Sequence, residues 1–512
     1  MSRLDLPDAA RELLAAARDV FADAEAYVVG GTVRDALLGL ELADLDLAVA
    51  GDAPELARAL ADRLAGHYVL LDAERGTARI VLDDGPIRVI DIARLRGDIA
   101  TDLSLRDFTI DAIALPFADG ADIIDPHGGV RDVAARTVRL VSEQALIDDP
   151  LRLLRAVRIA TQLDFEIEAS TLDALRRHAG RIGQAAAERQ RDELARCFST
   201  PHAARAIRLM DGLGLIDQLL PEVAAGRGVT QPKEHYYDVF DHLIETVGAL
   251  DLMLSEREPP DQRERALRHA FRDGLAFSHA LQEHFAQDVS EGRSRASLLK
   301  LAGLLHDVAK PETRAADETG RIRFFGHAEV GAETARRVLG RFRYSRRETD
   351  LVATMVEEHL RPGQLSQEGL PSRRALYRFF RDTGEAAESV LVLSLADALA
   401  ARGPNMTLES WRGHVAYVAH VLARRDEDAS IAQPPRIVTG EDIMAALGVA
   451  PGPEVGRLLA AIEEAQGAGE VTSREAAIEL ARRLHEGPPS ARYRSVARGR
   501  AERTFVAIGG AR

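Results

Sequence analysis

Asp44 and Asp46 stand one residue apart in the run Asp44-Leu45-Asp46-Leu47-Ala48-Val49, whose alternation predicts a strand over residues 45–49. On a strand, residues two apart project from one face. Two carboxylates so placed are hard oxygen ligands able to hold two Mg²⁺ ions. One ion would activate an attacking 3′-hydroxyl and the other would take charge from a departing pyrophosphate. Upstream, Gly30-Gly31-Thr32-Val33-Arg34-Asp35 puts two glycines between a short strand, 27–29, and a helix, 32–38. Without side chains there, backbone amides can come close to a triphosphate at the helix N-terminus. A Gly-Gly turn or an Asp-x-Asp alone is common; the two together at this spacing point to nucleotidyl transfer. Asp91, within Val89-Ile90-Asp91-Ile92, is either a third carboxylate of that centre or a solvated hairpin acid.

A second chemical signal lies far downstream, where His306-Asp307 follows the apolar approach Leu304-Leu305. An imidazole beside a carboxylate at a helix end suits one metal bound through nitrogen and oxygen. Lys310 would sit beside that metal as a phosphate contact. The single cysteine, Cys197, excludes an intramolecular disulfide, fits a reducing cytoplasm and reads as the core residue of a helix.

The elements that must position these groups are mixed α/β only in the first third. Residues 54–64 have helical spacing with Pro54 near the start. Residues 78–82 and 87–92 read as a hairpin across Asp83-Asp84-Gly85-Pro86, and 110–115 with 121–124 complete a small sheet. From Asp149 onward helix follows helix. Residues 221–230 and Ala432-Gln433-Pro434-Pro435 read as joints, and the chain turns basic after Gly487-Pro488-Pro489. At 512 residues the chain exceeds a single core, so roughly two to four domains are expected. Apolar runs are short and broken by charge, and the N-terminal Met1-Ser2-Arg3-Leu4-Asp5 lacks an apolar segment, so neither a membrane span nor a secretory signal is expected. The net charge of −15 argues against nucleic acid over the whole surface, yet arginines cluster at Arg152, Arg155 and Arg158 and at Arg176, Arg177 and Arg181. Such clusters mark either a local phosphate-binding groove or a solvated helix face.

The segment Gly30 to Asp46 resembles the first motif of the class II tRNA nucleotidyltransferases and bacterial poly(A) polymerases, with four further motifs in order. These are Arg106-Asp107-Phe108-Thr109-Ile110-Asp111-Ala112, Asp125-Pro126-His127-Gly128-Gly129-Val130-Arg131-Asp132, Asp148-Asp149-Pro150-Leu151-Arg152-Leu153-Leu154-Arg155 and Glu188-Arg189-Gln190-Arg191-Asp192-Glu193-Leu194. The resemblance implies a polymerase-β-like α/β head, with Asp44 and Asp46 as catalytic metal ligands and Gly30, Gly31, Arg34, Arg106 and Arg155 at the nucleotide. It implies that Asp149 and Arg152 read the incoming base. Set three apart on a helix, these two would share a face; the plainer alternative is a helix N-terminus with a surface ion pair. The fifth motif would brace that helix. Leu105 stands where the family has a first arginine and Asp111 where it has Asn. The stretch from Asp91 to Arg106 is short where full CCA-adding members carry a longer loop, as in relatives that add only CC.

Around His306-Asp307, residues His242, His327, His359 and Asp397 fall in the order of the HD phosphohydrolase domain, which resembles metal-dependent phosphodiesterases and phosphatases. Imidazole ligands imply Mn²⁺, Ni²⁺, Co²⁺ or Fe²⁺. Residues 437–484 resemble the helical tail of HD-bearing tRNA nucleotidyltransferases. The expected plan is a catalytic head at 1–140, a helical neck at 141–225, an HD body at 226–430, an RNA-binding tail at 431–487 and a basic mobile arm at 488–512. Its partners would be tRNA, CTP and ATP, in the cytoplasm, without a membrane; oligomeric state stays open. The expected reaction is addition of CC or CCA to tRNA. The alternatives are a poly(A) polymerase or an HD hydrolase whose head only binds RNA.

Overall fold

The computed structural model describes residues 4, 6–21, 24–118, 121–275, 279–366, 369–427, 431–432 and 434–486. The expected basic arm, most of the N-terminal pentapeptide and Gln433 of the second joint lie outside the described residues. The chain divides into two compact units, Met1–Ala224 with Arg341–Arg343, and Ala225–Gly340 with Tyr344–Arg512. The boundary falls within the glycine-bearing joint at 221–230. No helix among the described residues is long and apolar enough to cross a membrane.

The first unit opens with α1 (Asp8–Phe21), β1 (Ala26–Val29), α2 (Gly31–Leu37), β2 (Asp44–Val49), α3 (Ala53–Leu64), β3 (His67–Asp72), β4 (Thr77–Val81), β5 (Val89–Arg94), α4 (Ile99–Ser104) and β6 (Ala114–Pro116). The strands form one sheet in the order β3-β4-β5-β2-β1-β6. Only β2 and β5 run parallel, because α3 and the β3-β4 hairpin return the chain between them. Through the carboxylate-bearing stretch the strands alternate. Leu45, Leu47, Ala78, Ile80, Ile90 and Ile92 are buried, while Asp44, Asp46, Arg79 and Asp91 occupy the opposite face. Sequence period alone therefore assigns one face to the core and the other to the carboxylates. Asp52 caps α3 by accepting from the Glu55 amide, with Pro54 in the first turn.

Two expectations are corrected here. Of residues 110–115 only Ala114 and Leu115 lie in a strand, Ala114–Pro116; Thr109–Asp111 is a 3₁₀ turn, and 121–124 contributes a single bridge, Ile124 to Ala114. Edge strand β3 was not foreseen, since His67–Asp72 exposes Val69, Leu70 and Leu71 and so lacks an alternating pattern.

The longer helices of the rest of the unit are Arg152–Gln162, Ala169–His178, Ala187–Ser199 and Ala203–Gly212. Cys197 is buried in the third of these, and burial pushes its thiol up to about 12, which fits its reading as core. The second unit is built from Val239–Leu254, Arg295–Leu305, Arg346–Glu358 and Ala387–Arg402, with helices Gly440–Leu447, Pro453–Gly467 and Arg474–Glu486 at its C-terminal end. Thr439 and Asp442 form the capping box that starts the tail, and Pro453 stands in the first turn of the next helix.

Candidate active sites

The parallel register sets Asp46 directly opposite Asp91, and the antiparallel register sets Asp91 opposite Arg79. Arg79 holds Asp91 with two 2.8 Å hydrogen bonds, from Nε to Oδ1 and from Nη2 to Oδ2. Asp91 is thus not free: partly exposed, it is held by Arg79 on the sheet face that carries Asp44 and Asp46. Burial, then the carboxylates of Asp44 and Asp91, push Asp46 up to about 7. Burial, then Asp35 and Asp91, raise Asp44. Carboxylates that raise one another in this way form a site that stands to gain from cations. The Asp46 amide donates to Thr32 Oγ1 at 2.8 Å, tying the strand to the first turn of α2.

Gly30 precedes α2 at φ 67°, and a Cβ there would lie 2.9 Å from Arg106 Nη1 and 3.3 Å from Asp46 Oδ2. Its backbone conformation favours glycine, and a side chain would press on the ends of Arg106 and Asp46. At Gly31 the position of a Cβ would lie 3.3 Å from Arg34 Nη2 and 3.5 Å from Asp46 Oδ2. Arg106 reaches this turn because Asp102 Oδ2 accepts from both its Nε and Nη2 at 3.2 Å, while its Nη1 donates to the Asp111 carbonyl at 3.2 Å. Arg34, expected at the triphosphate, is buried and committed to acids. It donates to Asp35 at 2.8 and 3.0 Å and to Asp111 Oδ1 at 2.5 Å. The acid at position 111, in place of the family Asn, is therefore a counter-charge for Arg34.

The third motif is architectural. Asp125 accepts from the amides of Gly129 (2.7 Å) and Val130 (3.0 Å), and Asp132 accepts from Thr109 Oγ1 at 2.8 Å. It clamps the turn that carries Asp111.

Asp149 and Arg152 do not share a helix. Asp149 is extended (φ −143°, ψ 96°) because Pro150 follows it and disfavours the helical region for the preceding residue; the helix starts at Arg152. Their side chains do not hydrogen-bond each other, though the Arg152 amide donates to the Asp149 carbonyl at 3.1 Å. Arg189, from the fifth motif, donates to Asp149 at 3.2 and 2.7 Å, and Arg152 donates to the carbonyls of Ala145 (3.2 Å) and Leu105 (3.1 Å). Against burial, Arg189 and the Leu151 amide hold Asp149 below its ordinary range. Arg155 is bound to Asp107 Oδ2 at 2.9 Å and Arg158 to Glu193 at 2.7 Å, so both read as braces within the motifs.

In the second unit all six expected residues converge, in two groups rather than one. His242, His306, Asp307 and Asp397 form the first; Asp307, His327 and His359 form the second. Asp307 faces both, with Oδ2 at 3.3 and 3.2 Å from Nε2 of His242 and His306, and Oδ1 at 3.2 and 3.6 Å from Nε2 of His327 and His359. His306, His327 and His359 each hydrogen-bond through Nδ1 to the carbonyl three residues back, at 2.8, 2.6 and 2.7 Å. That bond fixes the tautomer and turns Nε2 inward. Buried Asp307 Oδ1, His327 Nε2 and His359 Nε2 have no hydrogen-bond partner, the condition of ligands built for an ion. Burial opposes a charge on His306, yet the Asp307 and Asp397 carboxylates hold it up at about 10.

Over residues 26–101 the chain matches the poly A polymerase head domain, over 164–226 the probable RNA and SrmB-binding site of polymerase A, and over 274–402 the HD domain. It is 38% identical over 472 residues to the A-adding tRNA nucleotidyltransferase of Deinococcus radiodurans, covering 91% of this chain and 97% of that one. The chain belongs to the tRNA nucleotidyltransferase family. To the CC-adding tRNA nucleotidyltransferase of Thermus thermophilus it is 36% identical, over 88% of this chain and 92% of that one. The Thermotoga maritima CCA-adding enzyme complexed with tRNA has the same fold, with a TM-score of 0.55, 21% identity and coverage of 94% and 97%.

Within this tRNA nucleotidyltransferase, three residues near the two centres escaped sequence reading. Asp102 is buried and serves both Arg106 and Arg96. The i,i+4 spacing of Asp102 and Arg106 was the available signal. Gln231 accepts from Lys310 Nζ at 2.6 Å, and Lys310 also pairs with Asp307 Oδ2. His235 packs edge-on to His242 at 5.3 Å, and burial, then Lys310, push it down to about 4. Neither Gln231 nor His235 has a pattern that marks it, because the loop 225–238 carries no period.

Proposed function

We propose that the head, residues 1–140, adds cytidylate or adenylate units from CTP or ATP to the 3′ end of tRNA and releases pyrophosphate. The carrying observation is the alignment of Asp44, Asp46 and Asp91 on one face of the sheet beside a turn whose Gly30 stands at φ 67°. Asp44 and Asp46 would hold Mg²⁺, which when bound supplies the charge that activates the attacking hydroxyl and relieves the leaving pyrophosphate. Gly30 and Gly31 leave space for the triphosphate, and Arg106, steered by Asp102, points toward it. In the neck, 141–225, Asp149 and Arg152 offer an acceptor and donors to the base edge, with Arg189 holding the Asp149 carboxylate. Only four residues separate β5 from α4, and two similar relatives carry out a part of CCA addition by name; both favour a partial adder. Incubating the enzyme with tRNA lacking its CCA end and with tRNA already ending in CC, with CTP or ATP separately and then together, tests this. Products one or two residues longer with one nucleotide support it, and no extension overturns it.

For the body, 226–430, we propose phosphodiester hydrolysis at RNA ends, with the tail, 431–487, gripping the tRNA. The two residue groups around Asp307 would hold two ions of Mn²⁺, Ni²⁺, Co²⁺ or Fe²⁺, which when bound supply an activated water and polarise the phosphoryl oxygens. Lys310, kept between Gln231 and Asp307, places a positive charge at the mouth of this centre.

A further inference from the structure

The metal-ligand cluster of the body opens into a cleft of about 1720 Å³, which Asp307, His327, His359 and Asp397 line at one end. A pocket for one small ligand rarely exceeds about 1,000 Å³, so the space suits something longer than a lone phosphate. Its arginines are already engaged by acids. Arg361 binds Glu358 (2.9 Å) and Asp382 (2.7 Å), Arg378 binds Glu464, and Arg323 binds Asp317 at 3.2 Å. What the cleft leaves unpartnered is a ring. Phe325 lines it and, at 78%, is the most exposed large apolar side chain among the described residues.

Its position is fixed by the metal cluster itself. Strand Ile322–Phe324 pairs with Arg314–Ala316, and the Phe324 carbonyl accepts the His327 Nδ1 bond that orients that ligand. Lys310 Nζ lies 5.6 Å from the Phe324 ring centroid. Gly326, at φ 75°, then turns the chain into helix His327–Arg341. Phe325 is thus two residues from His327, on a segment anchored on both sides and facing water.

We propose that Phe325 is a base-stacking platform, so that the body selects phosphoesters bearing a nucleobase over equally reactive ones without a base. The proposal deepens the hydrolase reading above and rests on it for the location of the phosphate. In the reaction to be followed, water oxygen bonds to phosphorus of a 2′,3′-cyclic phosphate, one ribose P–O bond breaks, and the released oxygen takes the proton. The test compares cytidine 2′,3′-cyclic phosphate with glycerol 1,2-cyclic phosphate, the same five-membered diester without a base, in parent, Phe325→Ala and Phe325→Tyr enzymes loaded with Mn²⁺ or Ni²⁺.

The parent is expected to prefer the nucleotide in kcat/KM, Phe325→Ala to lose that preference by about tenfold through KM, and Phe325→Tyr to restore it. An unchanged preference in Phe325→Ala, with its melting temperature intact, overturns the proposal. Calorimetric binding of cytidine 3′-monophosphate to parent and Phe325→Ala gives a readout without turnover; any contribution of the head is common to both. If the parent hydrolyses neither diester but binds the nucleotide more tightly than Phe325→Ala, the hydrolase reading fails and the platform stands. Equal binding, or none, sinks the platform.

Discussion

Asp46 is the residue whose state says most about the head. Its carboxyl is pushed up to about 7, whereas in the unfolded chain it ionises near 4. Between about pH 4 and 7 the folded protein therefore keeps a proton that the unfolded chain has lost, and metal-free stability falls as pH rises through that window. Asp46→Asn is expected to melt above the parent at pH 8 in chelator, by roughly 2–4 °C for each kcal/mol of repulsion relieved. The gap should close toward pH 4, and Mg²⁺ should stabilise the parent alone. Equal melting at pH 8 would mean that the three carboxylates do not repel. Asp44→Ala and Asp46→Ala should each cost far more than tenfold in nucleotide incorporation while keeping the fold; activity within tenfold in either would remove them from the centre. Asp149→Ala and Arg152→Ala should lose about 1–3 kcal/mol of discrimination against UTP and GTP. Arg189→Ala should blur the choice in the same direction, since Arg189 is what holds Asp149. Retained selectivity in all three variants would reduce the group to a structural ion network. The carboxylate pair was legible because it needs only a period of two. What the sequence did not report is the partner of Arg34: Asp111 is brought to it by the fold, and no local spacing marks that.

At the level of elements, what could be read depended on whether burial imposed a pattern. Strands β2, β4 and β5 each bury one face and alternate, so they and the turn between β4 and β5 were foreseen. Edge strand β3 buries neither face well, and so left no alternation to find. The helix expected to carry both Asp149 and Arg152 begins later because Pro150 excludes its neighbour from helical backbone, a rule that was available in the sequence and outweighed by spacing. Gly129 makes the packing of elements testable. A Cβ there would lie 2.1 Å from the Thr109 carbonyl and 2.7 Å from Ile113, so helix Gly129–Ala134 would have to withdraw from the turn bearing Asp111. Gly129→Ala should destabilise the enzyme by about 1–3 kcal/mol and raise KM for nucleotide, because Asp111 supports both Arg34 and Arg106. A denaturant midpoint equal to the parent's would show that this contact yields without cost.

On the scale of the whole molecule, the two centres belong to different compact units and share no ligand. The double variant His306→Ala and Asp307→Ala should abolish hydrolysis of cyclic ends and spare nucleotide addition, and Asp44→Ala should do the reverse. Loss of both activities in either variant would mean that the units depend on each other. The order of the His and Asp residues along the chain was enough to gather the body's ligands. Their division into two groups was not legible, because it rests on which oxygen of Asp307 faces which imidazole. On the proposed metal assignment, the contrast between an all-oxygen donor set and a histidine-rich one would also tie the enzyme to two separate mineral supplies. Magnesium is abundant wherever nucleoside triphosphates are made, so the builder would seldom be starved. The softer ions are scarce and competed for. A cell short of them would keep an enzyme that lengthens intact ends but leaves damaged ones uncorrected, so that scarcity alone would set which RNAs return to use.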